Sequence, residues 1–265
     1  MKTNTTEFDV QNHVAWITLN RPHVMNALNI ELKWQLSQHL DEVERRDDIW
    51  VAVITGAGER AFSAGADLKE RASMIHQSEQ ELAKLRSMER ETHHIVSRWE
   101  VSKPIIAMVN GVALGGGFEV ALACDIIVTA DHAEFGLPEP KRGLIAGSAG
   151  VHRLPRQIGL KPAMGYLLTG RHFSAARAFE LSLVNDVVPL SALRETTEGY
   201  IEDILQCAPL AVRATKASSM QGLDHSLRDA FNRTYPEEMA RRASLDAIEG
   251  PRAFSEKRPP RWQGK

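Results

Sequence analysis

Two glutamates, Glu119 and Glu139, have surroundings that could support acid–base chemistry. Glu119 follows the three glycines of Gly115–Gly117, and Glu139 lies between two prolines in the sequence LPEP. A carboxylate among apolar neighbours has a raised pKa and can give or take a proton near neutral pH. Two such carboxylates facing each other could hold a water molecule. Because the chain has 34 acidic residues, the alternative for each glutamate is an ordinary solvated side chain.

Two loops of small residues could supply the electrostatic part of the same site. The loop SAGAD offers the backbone N–H of Ala66, and the glycine turn offers the N–H of Gly116 where a helix is predicted to begin. Each glycine inside a regular element costs roughly 0.5–1 kcal/mol relative to alanine, so three in a row suggest a close backbone approach. Two N–H groups aimed at one point would stabilise an oxyanion. The alternative is that both loops are simple tight turns.

The elements around these loops predict an α/β fold. Short apolar runs bounded by glycine or polar residues indicate strands; they are His13–Asn20, Trp50–Gly56, Lys103–Gly111 and Asp125–Asp131. Leucines at helical spacing predict a helix over Ile30–Arg46. Ligands bind at strand ends in such sheets, which is where the two loops and the segment Pro138–Gly150 lie.

Helices are predicted for most of the remaining chain. Ser78 and Glu81 form a capping-box pattern, and the helix that follows is expected to carry Leu82, Leu85, Ile95, Val96 and Trp99 on one face, with Trp99 in the core. From about Gly159 the pattern is mainly helical, with a short strand at Asn185–Pro189. The helices are predicted over Pro162–Gly170, Ala175–Leu183, Leu190–Cys207, Leu210–Met220, Leu223–Arg241 and Leu245–Lys257. The proline-broken basic tail EKRPPRWQGK is expected to be extended.

Composition argues against several classes of protein. A net charge of −2 gives no reason to expect a nucleic-acid or anionic-membrane surface. The two cysteines, Cys124 and Cys207, are far apart and lack zinc spacing, so neither a disulfide framework nor a metal site is expected. His93, His94 and His132 likewise lack ligand partners at zinc spacing. No run is long enough to span a membrane and the first residues show no signal-peptide pattern, so we expect a cytoplasmic protein.

The chain resembles the crotonase (enoyl-CoA hydratase/isomerase) superfamily. The resemblance is carried by AFSAGADLKE, by NGVALGGGFEVALACDIIVTADHAEFGLPE, and by the later RLPRQIG and LLTGRHFSAARAFELSLVNDVV. It extends from the LNRP after the first predicted strand to the C-terminal EKRPPRW. It implies an α/β fold of the crotonase type, a spiral of β-β-α turns. On this reading residues 1–200 form the core with the CoA-thioester site, and residues 201–265 form a helical section for trimer formation.

The same resemblance implies roles for individual residues. Ala66 and Gly116 match the oxyanion-hole donors that hold a thioester carbonyl as an enolate. Glu119 matches the glutamate that activates water for addition to Cβ, and Glu139 matches the one that supplies a proton to Cα. Further residues match parts of the coenzyme A pocket, the last two of them near the coenzyme A of a neighbouring subunit: Ala64, Asp67, Leu68, Phe254 and Lys257.

Keeping both glutamates favours reversible hydration of a 2-enoyl-CoA, as in fatty acid metabolism, over isomerisation, for which relatives generally need only the glutamate matching Glu139. The segment Ile145–Gly150 reads IAGSAG where many hydratases read IPGAGG, so the acyl group could be unusual. How the pocket closes is expected to depend on Met74, Ile75, Leu144, Ile145 and Ser148. Coenzyme A is expected only as part of the substrate, with no permanently bound cofactor.

Two alternatives come from other functional classes. The sequence AGSAG loosely imitates the nucleophile elbow of a serine hydrolase, with Ser148 as nucleophile, and thioester hydrolysis also occurs among crotonase relatives. Some relatives bind RNA without catalysis, for which the basic tail would serve with Trp262 stacking on a base. The family reading instead makes the tail a subunit contact in a homotrimer or homohexamer, with an acyl-CoA as the only other partner and no nucleic acid or membrane.

Overall fold

The computed structural model describes residues 4–265, except for the side chains of Arg71 and Ile75. Within these described residues, ten strands form two sheets. The strands are β1 (Thr6–Gln11), β2 (Val14–Leu19), β3 (Val51–Gly56), β4 (Ala61–Ser63), β5 (Ile105–Val109), β6 (Val112–Leu114), β7 (Ile126–Ala130), β8 (Glu134–Gly136), β9 (Phe173–Ser174) and β10 (Asp186–Val188).

Twelve α-helices surround these sheets in the described part of the chain. They are α1 (Ile30–Arg45), α2 (Leu68–Ser73), α3 (Glu79–Glu91), α4 (Gly116–Leu122), α5 (Gly150–Ile158), α6 (Leu160–Thr169), α7 (Ala175–Glu180), α8 (Leu190–Leu205), α9 (Pro209–Gly222), α10 (Leu227–Asn232), α11 (Pro236–Arg242) and α12 (Asp246–Ser255).

The larger sheet has six strands in the order β1-β2-β3-β5-β7-β10, and all its pairs except β1–β2 are parallel. Every residue of β3 and β5 is buried, as expected for central parallel strands covered on both faces. Ala52 and Ile54 of β3 join one hydrophobic cluster, while Val51 and Val53 join the other. The four strands predicted from apolar runs are therefore confirmed, and they form one layer with helices on both sides.

The first strand and the smaller sheet were not predicted. β1 pairs antiparallel with β2 through a tight turn at Asn12 and His13, both at positive φ. The smaller sheet has the order β4-β6-β8-β9 and consists of strands of two or three residues. Runs this short carry no readable periodicity, because their pairing partners lie far away in the chain. This sheet matters for function, since β4 and β6 lead directly into the two small-residue loops.

Helix α1 and the capping box of α3 are confirmed, but the extent of α3 was predicted wrongly. Asn29 accepts the Leu32 N–H at the start of α1, and Ser78 and Glu81 cap α3 reciprocally. Helix α3 ends at Glu91, so Ile95 and Val96 belong to a separate 3-10 turn. Trp99 is 67% exposed and is not a core residue. Its ring instead lies under the guanidinium of Arg153, 4.6 Å from the ring centroid.

The C-terminal third is helical, with one correction. The helix predicted over Leu223–Arg241 is two short helices, α10 and α11, because Pro236 opens α11 and cannot continue the preceding helix. The tail is extended and docked: the Trp262 Nε1–H donates to the Gln206 carbonyl at 2.7 Å, and the Asp246 carboxylate accepts the N–H groups of Gln263 and Gly264. Among the described residues, none of the helices has the length and hydropathy of a transmembrane segment.

Candidate active site

The N–H of Ala66 points into a cleft because of the way its loop pairs. Ala66 forms an isolated parallel bridge with Leu28. The Leu28 N–H donates to the Gly65 carbonyl at 2.8 Å, and the Leu28 carbonyl accepts the Asp67 N–H at 3.1 Å. In a parallel pair, a residue whose two neighbours make these bonds directs its own N–H to the opposite side. Ala66 therefore presents its N–H away from Leu28.

The glycine turn brings a second N–H beside the first. Gly115 has φ +52° and ψ −128°, a conformation that only glycine adopts without strain, and it starts α4 with Gly116 as the first helical residue. A Cβ on Gly116 would lie 3.6 Å from the Ala66 nitrogen, and one on Gly65 would lie 3.0 Å from the Gly116 nitrogen. The two loops, about fifty residues apart in sequence, are thus in direct backbone contact.

Both amides are available to a ligand. Within residues 4–265, neither the Ala66 N–H nor the Gly116 N–H donates a hydrogen bond to a protein acceptor. The first N–H groups of a helix have no partner inside the helix, which explains why the Gly116 donor is free. Two unsatisfied donors on adjoining backbones could together stabilise an anionic oxygen.

Glu139 lies directly against this turn. It begins a 3-10 helix at Glu139–Arg142, and a Cβ on Gly115 would lie only 3.0 Å from Glu139 Oε1. Its other oxygen, Oε2, is buried without a hydrogen-bond partner among the described residues. Burial raises the pKa of Glu139, although its own backbone N–H and the charge of Arg142 lower it. A buried oxygen with no protein partner and a raised pKa fits a group that exchanges a proton with a ligand.

Glu119 is held inside α4, one turn after Gly116. It is 3% exposed, and its Oε1 accepts the Gly150 N–H at 2.9 Å. Burial raises the pKa of Glu119 and the charge of Glu139 raises it further, whereas the Gly150 N–H and the Ser148 amide and hydroxyl lower it. A Cβ on Gly150 would lie 2.9 Å from Oε1, so glycine is needed for this bond. Gly150 was not singled out from the sequence, although it ends the loop in which Glu139 was found.

A cleft of about 420 Å³ connects most of these groups. Its lining includes Ala66, Gly116 and Glu139, with the predicted coenzyme A residues Ala64, Asp67 and Leu68. Glu119 is not part of the lining but interacts electrostatically with Glu139. A larger cavity, of about 900 Å³ between α5 and α9, is lined by none of these residues. We place the candidate site in the smaller cleft, because the free donors and the carboxylate are there.

Asp67 has a structural role that the sequence did not indicate. Its carboxylate caps α2 by accepting the Glu70 N–H and pairs with Arg21 at 2.9 Å. Burial raises the pKa of Asp67, but the Glu70 N–H and Arg21 outweigh burial, and the pKa is lowered on balance. Asp67 therefore fixes the loop carrying Ala66.

Two residues of the C-terminal section were also expected near coenzyme A. Phe254 and Lys257 do not line this cleft in the described chain, and Phe254 is 88% exposed.

Among the residues expected to close the acyl pocket, Leu144 lines the cleft, whereas Met74, Ile145 and Ser148 do not. Ile75 lies outside the described side chains.

The segment before Ser148 is a 3-10 helix and turn, not the strand that a nucleophile elbow requires, which argues against the serine hydrolase alternative. Within the described residues, no group of three His, Cys, Asp or Glu side chains could hold a metal ion.

Comparison with known proteins supplies the family. A family model described as "Enoyl-CoA hydratase/isomerase" matches residues 9–265. The chain belongs to the enoyl-CoA hydratase/isomerase family. Within this hydratase/isomerase family, it is 40% identical over 256 residues to an (E)-benzylidenesuccinyl-CoA hydratase of Thauera aromatica, covering 97% of this chain and 98% of the relative. A carnitinyl-CoA dehydratase of Salmonella arizonae is 38% identical, with 94% of each chain covered.

Solved structures of the family confirm the predicted fold class. An enoyl-CoA hydratase from Bacillus anthracis superposes with a TM-score of 0.88 at 37% identity, covering 98% of this chain and all of the other. The enoyl-CoA hydratase EchA1 from Mycobacterium marinum gives a TM-score of 0.86 at 36% identity over 99% of this chain and 100% of the other. The crotonase-type α/β fold expected from the sequence is therefore confirmed.

Proposed function

We propose that the protein is a hydro-lyase that reversibly adds water to a 2-enoyl-CoA thioester. The observation that carries this proposal is the pair of free N–H groups beside the buried, unpartnered oxygen of Glu139, with the buried carboxylate of Glu119 one helical turn behind them. Hydratase and dehydratase are also the activities named for the similar proteins. Hydration and dehydration are the forward and reverse directions of one reaction.

In the proposed reaction, the thioester oxygen accepts hydrogen bonds from the N–H groups of Ala66 and Gly116. Glu119 takes a proton from water through the oxygen that Gly150 leaves free, and the water oxygen forms a bond to Cβ. The electron pair of the double bond moves into the thioester, so the oxygen carries enolate charge that the two N–H groups stabilise. Glu139 then gives its proton to Cα. The product is the 3-hydroxyacyl thioester, and the two carboxyl groups return to their starting states by exchange with solvent.

The raised pKa values of both carboxyl groups support this division of roles. Glu139 must be protonated when it serves Cα, and burial of its side chain favours the protonated form. Glu119 must accept a proton while it stays in place, and the Gly150 N–H stabilises its charged form. Enoyl-CoA isomerisation is the second candidate, since it needs one carboxylate at the position of Glu139.

Paired glutamine variants separate the two candidates. Each of Glu139→Gln and Glu119→Gln should lower hydration of crotonyl-CoA by about 10²–10⁴-fold, the usual contribution of a general acid or base. The rate is followed as loss of enoyl-thioester absorbance, and binding of a saturated acyl-CoA serves as the control for folding. Full hydration activity in Glu119→Gln would remove the two-glutamate mechanism. Isomerase activity that depends on Glu139 alone would establish the second candidate.

We further propose that the protein works as a homotrimer or homohexamer in the cytoplasm, with residues 201–265 as the oligomerisation section. Large apolar side chains of this section lie open to solvent in the single chain: Leu223, Leu227, Phe231, Ile248 and Phe254. Burying them against another subunit would bring Phe254 and Lys257 to a neighbouring coenzyme A site. Light scattering tests this, and a monomer at micromolar concentration would contradict it.

We propose no resident cofactor and no nucleic-acid or membrane partner. In support of the absence of a nucleic-acid partner, Trp262 packs against Gly250 and is not available to stack on a base.

A further inference from the structure

A cation beside the catalytic carboxylate has no role in the proposed hydration. Arg142 lines the cleft and ends the same 3-10 turn that begins with Glu139. In the part of the chain that the structure describes, its guanidinium forms no ion pair, and its one hydrogen bond to the protein is a long one of 3.4 Å to the Pro138 carbonyl. Arg21, in contrast, is bound to Asp67 and to the Ala27 carbonyl. The guanidinium of Arg142 is thus free to bind a ligand.

The cleft lining takes the cationic side chains Lys69 and Arg142 from different segments of the chain. Lys69 belongs to the same segment as Ala64, Ala66 and Leu68, which we assign to coenzyme A. Arg142 belongs to the same turn as Glu139, and the apolar Leu144 follows it. The acyl carbons that react must lie at Glu139, and Arg142 is in the same turn, close enough for its charge to act on the Glu139 carboxyl group.

Arg142 also has an effect that works against the chemistry. Its charge lowers the pKa of Glu139, which opposes the protonated form that a proton donor to Cα requires. An anion paired with the guanidinium would cancel this effect when substrate is bound. The free guanidinium and its effect on Glu139 are both accounted for if the substrate itself brings the anion.

We propose that Arg142 binds a free carboxylate on the acyl group, so that the preferred substrates are monothioesters of dicarboxylic acids. This inference rests on the proposed enoyl-CoA function, whose acyl site it completes. Arginine suits the task because its planar donors match a carboxylate in a bidentate way. The name of the 40% identical relative, benzylidenesuccinyl-CoA hydratase, is consistent with it, since a succinyl monothioester keeps one free carboxyl group. The same charge would disfavour an acyl group with a quaternary ammonium, such as carnitinyl.

Binding of glutaryl-CoA and of its methyl ester tests the proposal without any catalysis. The ester replaces the terminal carboxylate by a neutral group that is one methyl larger, and the Arg142 variants separate the effect of the charge from that of the methyl group. We expect the protein to bind glutaryl-CoA roughly tenfold more tightly, the lower end for a hydrogen bond between charged groups. Arg142→Gln should bring the ratio of the two dissociation constants close to one, and Arg142→Lys should restore part of it. Lys141→Gln is the matched control, because Lys141 is in the same turn but packs against Gly170 outside the cleft lining, and it should keep the full ratio.

Two outcomes would overturn the inference. The first is that the unaltered protein binds glutaryl-CoA and its methyl ester equally well. The second is that Arg142→Gln loses the same binding affinity for both ligands, which would place the guanidinium on the coenzyme A phosphates. The hydration of crotonyl-CoA is measured in parallel. If the protein hydrates crotonyl-CoA but shows no preference for the carboxylate, this inference fails and the proposed function stands. If it prefers glutaryl-CoA but hydrates neither crotonyl-CoA nor glutaconyl-CoA, the proposed function fails and the carboxylate site stands.

Discussion

The hydrogen bond from Gly150 to Glu119 gives the sharpest test of how the site is held. In Gly150→Ala, the new Cβ would lie 2.9 Å from Glu119 Oε1, 3.0 Å from Glu119 Cγ and 3.1 Å from the Ala146 Cβ. Contacts below 3.0 Å do not persist, so the buried glutamate must move away from the Gly150 N–H. Overpacking of this kind costs about 1–3 kcal/mol, which corresponds to a fall in melting temperature of roughly 2–12 °C for a domain of this size.

The variant should lose much of its activity even at a temperature where it is still folded. A shift of about 1 Å in a catalytic group costs on the order of 10²-fold, so we expect hydration of crotonyl-CoA to drop about 100-fold or more at a temperature where the variant is folded. Gly147→Ala is the matched control in the same loop, because its Cβ would meet only Ile145 atoms at 3.8 Å, an ordinary contact. Activity within twofold of the original in a folded Gly150→Ala variant would refute the argument that this bond fixes the catalytic position of Glu119.

Two further predictions concern the glycine turn and the buried charge. Gly115→Ala should abolish most hydration activity, because alanine cannot adopt φ +52° with ψ −128° without strain and its Cβ would lie 3.0 Å from Glu139 Oε1. Gly143→Ala, at φ +67° and ψ +23° with no atom within 4 Å of the new Cβ, should lose stability but keep activity. Equal activity losses of the two variants in crotonyl-CoA assays would contradict this. Glu119→Gln should be more stable than the original protein at pH 8. Because the folded pKa of Glu119 is raised, the folded state binds more protons between the unfolded and folded pKa values, so stability falls as pH rises through that window. Urea unfolding should show the gain of Glu119→Gln disappearing near pH 4, and a gain that does not change with pH would contradict this explanation.

The elements predicted correctly are those whose signal is local. Helix α1 repeats leucines at helical spacing, α3 begins with a capping box, and β3 and β5 are apolar runs that are buried on both faces. The glycine turn was also readable, because three successive glycines are costly unless the backbone needs them. The resemblance to the family added the roles of Ala66 and Glu139, which spacing alone left open.

Most of the features that were missed or predicted wrongly depend on distant partners. Trp99 is a large aromatic residue that was predicted to lie in the core, but the helix expected to carry it there ends at Glu91, and Trp99 is exposed. The strands of the smaller sheet have two or three residues and exist only through pairing with segments elsewhere in the chain. Pro236 was a local signal that should have divided the predicted helix at α10 and α11.

The preferences of neighbouring residues were enough to predict the central strands of an α/β fold, the main helices, the costly glycine turn and the two candidate carboxyl groups. Which of these groups meet depends on contacts between distant parts of the folded chain. The bridge between Leu28 and Ala66 turns one N–H into the cleft, and the Gly150 N–H fixes Glu119 from a loop thirty-one residues away. Arg142 reaches the same cleft without an ion-pair partner among the described residues, a feature visible only after folding. Contacts between distant residues depend on the packing of whole layers, and no local spacing encodes them.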